Sequence, residues 1–188
     1  MNERNALCKY CHINEKKKFL DICSPCYDEQ LNLMSSYEST RKEFYPEIDQ
    51  ITDNIYLGNY DGQREKEKLK GYGINGILVC GSYLKKLHPD DFDYLVFEIN
   101  DSLNQRIDSL FEEAIEFIDK KGKVYVHCAA GISRSSSFVI AYLMSKNKWD
   151  YDRTYEYVKE RRGIVSPNSY FVEQLKEFYI NKISDSII

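Results

Sequence analysis

The chain has no apolar run that approaches a membrane span, and no apolar leader follows its Met-Asn-Glu-Arg start. The expectation is an intracellular, cytoplasmic protein with no membrane partner, the nucleus or a virion remaining open. A basic field is also missing. The net charge is −4 over 188 residues; residues 1–45 hold 7 basic and 7 acidic side chains, the remainder 19 and 23. A body that is negative overall binds anions only through local groups, which speaks against nucleic acid as its main partner. Internal repeats and low-complexity segments are absent. There are six cysteines, and their placement organises the rest of the reading.

One of the six stands in the run His127-Cys128-Ala129-Ala130-Gly131-Ile132-Ser133-Arg134-Ser135. Val124, Tyr125 and Val126 before it form a β-branched and aromatic strand. Phe138, Ala141, Leu143 and Met144 after it recur at near-helical spacing. The segment therefore joins a strand end to a helix start, where unpaired N–H groups and partial positive charge favour anions. Ala129, Ala130 and Gly131 leave the backbone room to curl into an anion nest, completed by Ile132 and Ser133. Arg134 can grip two phosphate oxygens at once, a geometry that lysine matches less well. Cys128 sits where these dipoles converge, and such a site lowers a thiol pKa and stabilises the thiolate. The pattern predicts a phosphate cradle with a sulfur nucleophile at its centre.

The signature His-Cys-x-x-Gly-x-Ser-Arg-Ser, followed by Ala-Tyr-Leu-Met, resembles the active site of dual-specificity protein phosphatases, in the cysteine-based protein tyrosine phosphatase superfamily. Ile55-Tyr56-Leu57-Gly58 is similar to the family's opening strand and Gly73-Ile74 through Val79 to its second. Phe111, Ala114, Phe117 and Ile118 resemble the helix before the catalytic strand. Ser166-Pro167-Asn168, Phe171 and Gln174-Leu175 resemble its closing segment. The likeness covers about residues 48–182. It implies a phosphatase with a phosphocysteine intermediate and no catalytic metal. It also implies that Ser135 hydrogen-bonds the departing thiolate and that Asn168 braces the loop. His127, a lone histidine, reads as a structural group that orders the loop and supports the thiolate.

The cradle supplies no proton for the leaving oxygen, so a carboxylic acid must come from elsewhere. Tyr94 to Ile99 reads as a buried strand, and Asn100-Asp101-Ser102 as the loop beyond its C-terminal end. Ligands of parallel sheets sit outside that edge, which selects Asp101. Asp90, Asp91 and Asp93 precede the strand and Glu98 lies within it. The family likeness agrees on Asp101.

Cys8-x2-Cys11 and Cys23-x2-Cys26 form two CxxC pairs, the spacing of a four-thiolate zinc site. About thirty residues cannot fold on apolar burial alone, so structural zinc is the expected staple. This module would be a knob on the catalytic domain or a surface for a protein partner. The sixth cysteine, Cys80, ends the strand Gly76–Val79 on the catalytic edge. It reads as a small core residue or as a redox partner for Cys128.

The organisation expected is a zinc-binding module over 1–30, a linker or helix over 31–47, a catalytic domain over 48–182 and a tail over 183–188. Residues 61–72 read as a solvated, charged helix, while 108–120, 151–162 and 168–182 read as amphipathic helices. Alternating strands and helices predict an α/β fold with a largely parallel central sheet covered on both faces. The expected substrates are phosphorylated proteins, a protein kinase among the candidates. The region is shorter than that of tyrosine-specific phosphatases and lacks their substrate loop. A shallow cleft should therefore admit phosphoserine and phosphothreonine beside phosphotyrosine. The alternatives are a phosphoinositide or RNA 5′-triphosphate substrate, against which the lysine-free loop counts, and a zinc-module adaptor with auxiliary phosphatase activity.

Overall fold

Val124–His127 is the central strand of a five-stranded sheet in the computed structural model, which describes residues 46–183. The strands are β1 (Ile48–Gln50), β2 (Ile55–Gly58), β3 (Gly76–Cys80), β4 (Asp93–Phe97) and β5 (Val124–His127), in the spatial order β1-β2-β5-β3-β4. β2, β5, β3 and β4 are parallel, whereas β1 pairs antiparallel with β2. The sheet is thus mixed. Its antiparallel edge arises because only a short turn separates β1 from β2, too short for a crossover.

The helices are α1 (Lys66–Gly71), α2 (Phe111–Lys121), α3 (Arg134–Asn147), α4 (Tyr151–Arg161) and α5 (Ser169–Phe178). Coverage of the two faces is unequal. Val124, Val126, Leu78 and Cys80 point into a core shared with α2 to α5. Tyr125, Ile77 and Val79 point the other way, against Leu69 of α1, Ile74 and Phe92. The period-2 alternation of strands divides the two cores.

Three elements differ from expectation. β4 ends at Phe97, and Tyr94 to Val96 are only half-buried, because β4 is an edge strand with a single neighbour. The charged stretch 61–72 is a 3₁₀ turn followed by the short α1. The helix expected over 168–182 changes to a π-helical turn at Tyr179–Ile183.

α3 is the most enclosed helix. Ser135, Ser136 and Ser137 are buried along with Phe138 to Ala141, Leu143 and Met144. The Ser136 and Ser137 hydroxyls donate to the Ser133 carbonyl at 2.8 and 2.9 Å, which makes their burial tolerable. α4 and α5 start on side-chain caps: Asp150 accepts from the Arg153 amide, and Asn168 from the Phe171 amide. None of the helices among the described residues is long and apolar enough to cross a membrane.

The strand register sets up the site. Gly58 pairs with His127, Val79 with His127, and Cys80 with Phe97. The C-terminal ends of all four parallel strands therefore reach one edge, where the loops to 59–65, 81–92, 98–110 and 128–133 emerge. Residues 1–45, with the expected zinc ligands Cys8, Cys11, Cys23 and Cys26 and most of the expected linker, lie outside the described residues.

Candidate active site

The loop from β5 to α3 is shaped by donors attached to its outside. His127 Nδ1 lies 3.3 Å from the Cys128 carbonyl, and the Tyr60 amide donates to that of Ala129. The Arg162 guanidinium donates to the carbonyls of Ala130 at 3.3 Å and Gly131 at 2.9 Å. The Ser166 amide donates to Ile132, and the hydroxyls of α3 to Ser133. Every carbonyl from 128 to 133 is thus bound from behind. That arrangement turns the peptide N–H groups to the concave side, as an anion nest requires.

Gly131 allows the curl. Its φ is +70°, and a β-carbon there would lie 2.4 Å from the Gly58 oxygen and 2.7 Å from Arg162 Nη2. No other residue fits both the conformation and the space.

Cys128 is 2% exposed at the centre. Its Sγ accepts hydrogen bonds from the Gly131 amide and the Ser135 hydroxyl, both at 3.2 Å. Burial alone would push the thiol up. The Ser135 hydroxyl and amide, the Arg134 charge and the Gly131 amide outweigh it and hold Cys128 below its ordinary value. Arg134 opens α3 with its Nε free of any hydrogen-bond partner among the described residues.

Asp101 reaches the same place from the loop after β4. Its Oδ1 accepts from Ser133 Oγ and from Asn168 Nδ2, both at 2.8 Å, and its Oδ2 lies 3.9 Å from Arg134 Nε. Asn168 has a second link, its amide donating to Ser133 Oγ. It therefore ties the phosphate loop and the acid loop to the cap of α5. The competing carboxylates lie elsewhere. Asp91 binds Lys66 and Lys70, which hold it at about 2, and Asp93 binds Lys121. Glu98 is exposed just beyond β4.

His127 is fully buried, with its ring stacked on Tyr125 at 5.4 Å. Burial brings it down to about 4, so the ring is neutral near pH 7. Its hydrogen bond goes to the Cys128 carbonyl rather than to the sulfur, so any support for the thiolate passes through the backbone. Cys80 is fully buried, and its strand lies beside that of Cys128 on the same core face. Burial first, and the neighbouring Cys128 next, push its thiol well up.

Two contributors had been given no role in the site by the sequence. Arg162 is 2% exposed and also donates to the Pro46 carbonyl and to Asp49 Oδ2 at 2.6 Å. Burial raises the Asp49 carboxyl even beside that arginine. A signal existed: Tyr151, Thr154 and Val158 define the buried face of α4, and Arg162 follows four residues later. Gln174 is the other. Its Oε1 accepts from the amides of Ile107 at 2.7 Å and Asp108 at 3.1 Å, and its Nε2 donates to the Gln105 carbonyl, fastening the base of the acid loop to α5.

Comparison with known proteins agrees with this geometry. Residues 55–181 match the family described as "Dual specificity phosphatase, catalytic domain". Dual specificity protein phosphatase 1 of Arabidopsis thaliana is 37% identical over 131 residues, covering 68% of this chain and 66% of that protein. The human protein of the same name is 37% identical over 133 residues, covering 69% of this chain and 36% of its own length. The chain thus spans under two thirds of these relatives. Among solved structures, human tyrosine phosphatase-like serine/threonine/tyrosine-interacting protein superposes with a TM-score of 0.67 at 34% identity, covering 71% of this chain and 95% of that one. DUSP15 superposes with a TM-score of 0.69 at 30% identity, covering 73% and 90%. With its cysteine cradle, its facing aspartate and this match over most of its length, the chain belongs to the dual specificity phosphatase catalytic-domain family.

Proposed function

We propose that the protein hydrolyses phosphate monoesters on tyrosine, serine and threonine side chains of other proteins. The observation that carries this reading is the convergence of the Ser135 hydroxyl and the Gly131 amide on Cys128 Sγ, inside a loop whose carbonyls all face away. The relatives named dual specificity protein phosphatases support it. The human "interacting protein" raises a binding role as the alternative; a sulfur that accepts two hydrogen bonds at the centre of the loop favours catalysis, because a pure binder has no need of a nucleophile.

In the first step the Cys128 thiolate attacks phosphorus. The P–O bond to the substrate breaks, and Asp101 gives its proton to the leaving oxygen. Arg134 and the loop amides hold the equatorial oxygens. In the second step Asp101, now a carboxylate, takes a proton from water as that water attacks the phosphocysteine. The thiolate leaves toward the Ser135 hydroxyl, and inorganic phosphate departs. The test is release of phosphate from phosphotyrosine and phosphothreonine peptides. Wild type should release it from both, and Cys128→Ser should bind the peptides and release none. Phosphate release by Cys128→Ser at the wild-type rate would refute the scheme.

Two subsidiary roles belong to the same proposal. Cys8, Cys11, Cys23 and Cys26 hold one zinc ion as a structural staple; elemental analysis should find zinc in the intact chain and lose it in Cys8→Ser/Cys23→Ser, and an intact chain without zinc would overturn the staple. Cys80 shields Cys128 under peroxide. Peroxide converts the Cys128 thiolate to sulfenic acid, and the Cys80 thiol then displaces its hydroxyl as water to leave a disulfide. Sulfinic Cys128 beside a free Cys80, by mass spectrometry after mild peroxide, would overturn that role.

A further inference from the structure

Tyr83 combines two properties that seldom coincide. Its φ is +66°, in the left-handed region that bulky side chains avoid, and the residue is 94% exposed. Glycine or asparagine would take this backbone with less strain. Nothing among the described residues repays the strain, because the ring buries almost none of its surface. Outliers of this kind cluster where ligands are held.

Its location supplies the ligand. Tyr83 lies on the loop after β3, two residues beyond Gly81. A β-carbon at Gly81 would lie 2.6 Å from Arg134 Nη1, so this loop runs against the phosphate-gripping side chain. The Gly81 amide donates to the Phe97 carbonyl and the Ser82 amide to that of Ile99, tying the loop to the segment that leads to Asp101. Two residues past Asp101 stands Leu103, 68% exposed. Two of the three large apolar side chains that the described residues expose are therefore on the two loops beside the cradle. The third, Ile180, lies in the π-helical turn near the C-terminus.

The Tyr83 loop is held from below. Gln63 is fully buried, and its Nε2 donates to the Lys85 carbonyl at 3.0 Å. Its Oε1 accepts from the Leu87 amide and the Tyr94 hydroxyl. Leu84 packs inward on the core of the α1 face. The ring thus projects from an anchored base, which lowers the entropy lost when it meets a ligand.

We propose that Tyr83 and Leu103 form an apolar lip that receives an apolar side chain flanking the phosphorylated residue of the substrate polypeptide. The inference rests on the phosphatase reading and adds a sequence preference to it. The occupant follows from continuity with the cradle: both loops leave the sheet edge on which Cys128 sits, beside a polypeptide that presents its phosphate there. Their lack of charge selects an apolar neighbour over an acidic or basic one.

The test compares phosphotyrosine peptides that differ only in leucine or serine beside the phosphoresidue, each rate divided by p-nitrophenyl phosphate turnover of the same protein. Wild type should favour the leucine peptide by at least about fivefold in kcat/KM, carried by KM. Tyr83→Asn with Leu103→Ser keeps a residue that tolerates the left-handed backbone and removes both apolar surfaces; the preference should fall to about onefold. A wild type that turns over p-nitrophenyl phosphate but ranks the two peptides equally overturns the lip alone. The same holds if the double variant keeps the preference, or if it differs from wild type only in self-association by size-exclusion chromatography. Failure of the wild type to hydrolyse p-nitrophenyl phosphate overturns the phosphatase reading and the lip with it.

Discussion

The phosphate loop and the acid loop sit side by side on one edge of the sheet and are held in different ways. The phosphate loop is set from inside the protein. Buried Arg162 grips two of its carbonyls, buried His127 a third, and Gly131 fits against the Gly58 backbone with no room for a β-carbon. The acid loop is fastened at its base by buried Gln174, but Asp101 itself is held near the surface. Asp101 is 38% exposed in its side chain, and two hydrogen bonds from Ser133 and Asn168 hold it. A group that must bind phosphate in one geometry gains from preorganisation by the core. A group that must give a proton and recover one from water needs access to solvent. The contrast teaches that substitutions behind the cradle should behave as stability variants, and those in the acid loop as kinetic variants.

Breaking the first half of that contrast should have the largest effect. Arg162→Met strands the Asp49 carboxylate and removes the donors behind Ala130 and Gly131. A loss of about 3–5 kcal/mol is expected, read by urea denaturation. Adding Asp49→Asn should recover part of the stability but not the activity, because the two carbonyls still lack their donor.

The next effect concerns pH. His127 has a folded value of about 4 against an ordinary 6.5, so the unfolded chain binds the extra proton first. Its contribution is complete above pH 6.5 and is lost as pH falls toward 4, amounting to about 3 kcal/mol at the acid end. His127→Gln should flatten that part of the stability curve; an unchanged slope would mean that His127 is not the group responsible.

The acid loop should respond differently. Asp101→Asn should change stability by less than about 0.5 kcal/mol. It should slow phosphoserine peptide hydrolysis by about 10²-fold, and that of p-nitrophenyl phosphate by much less, because nitrophenolate leaves without a proton. Equal losses on both substrates would remove Asp101 from its acid role.

Much of this was legible in the sequence, and unevenly so. Cys128, Arg134 and the strand–loop–helix around them follow from local spacing, which is where sequence speaks most directly. Asp101 required one step of topology: four parallel strands put its loop on the same edge as Cys128. The antiparallel β1 and the half-buried β4 depend on strand order, which no local pattern encodes. Arg162 was hidden for a chemical reason, since an arginine in a charged helix reads as solvated. Its burial is possible only because Asp49 and three backbone carbonyls meet it from segments far apart in sequence. Ser136 and Ser137 follow the same logic, buried because their hydroxyls find carbonyls one turn back.

The central claim is that the loop holds the Cys128 thiol below its ordinary value, the Ser135 hydroxyl foremost among the groups that outweigh its burial. Site-resolved alkylation by iodoacetamide across pH, followed by mass spectrometry, measures this directly. The account predicts that Cys128 reacts with a midpoint below that of an ordinary thiol and that Ser135→Ala shifts the midpoint upward. A Cys128 midpoint at or above the ordinary value, unmoved by Ser135→Ala, would contradict it.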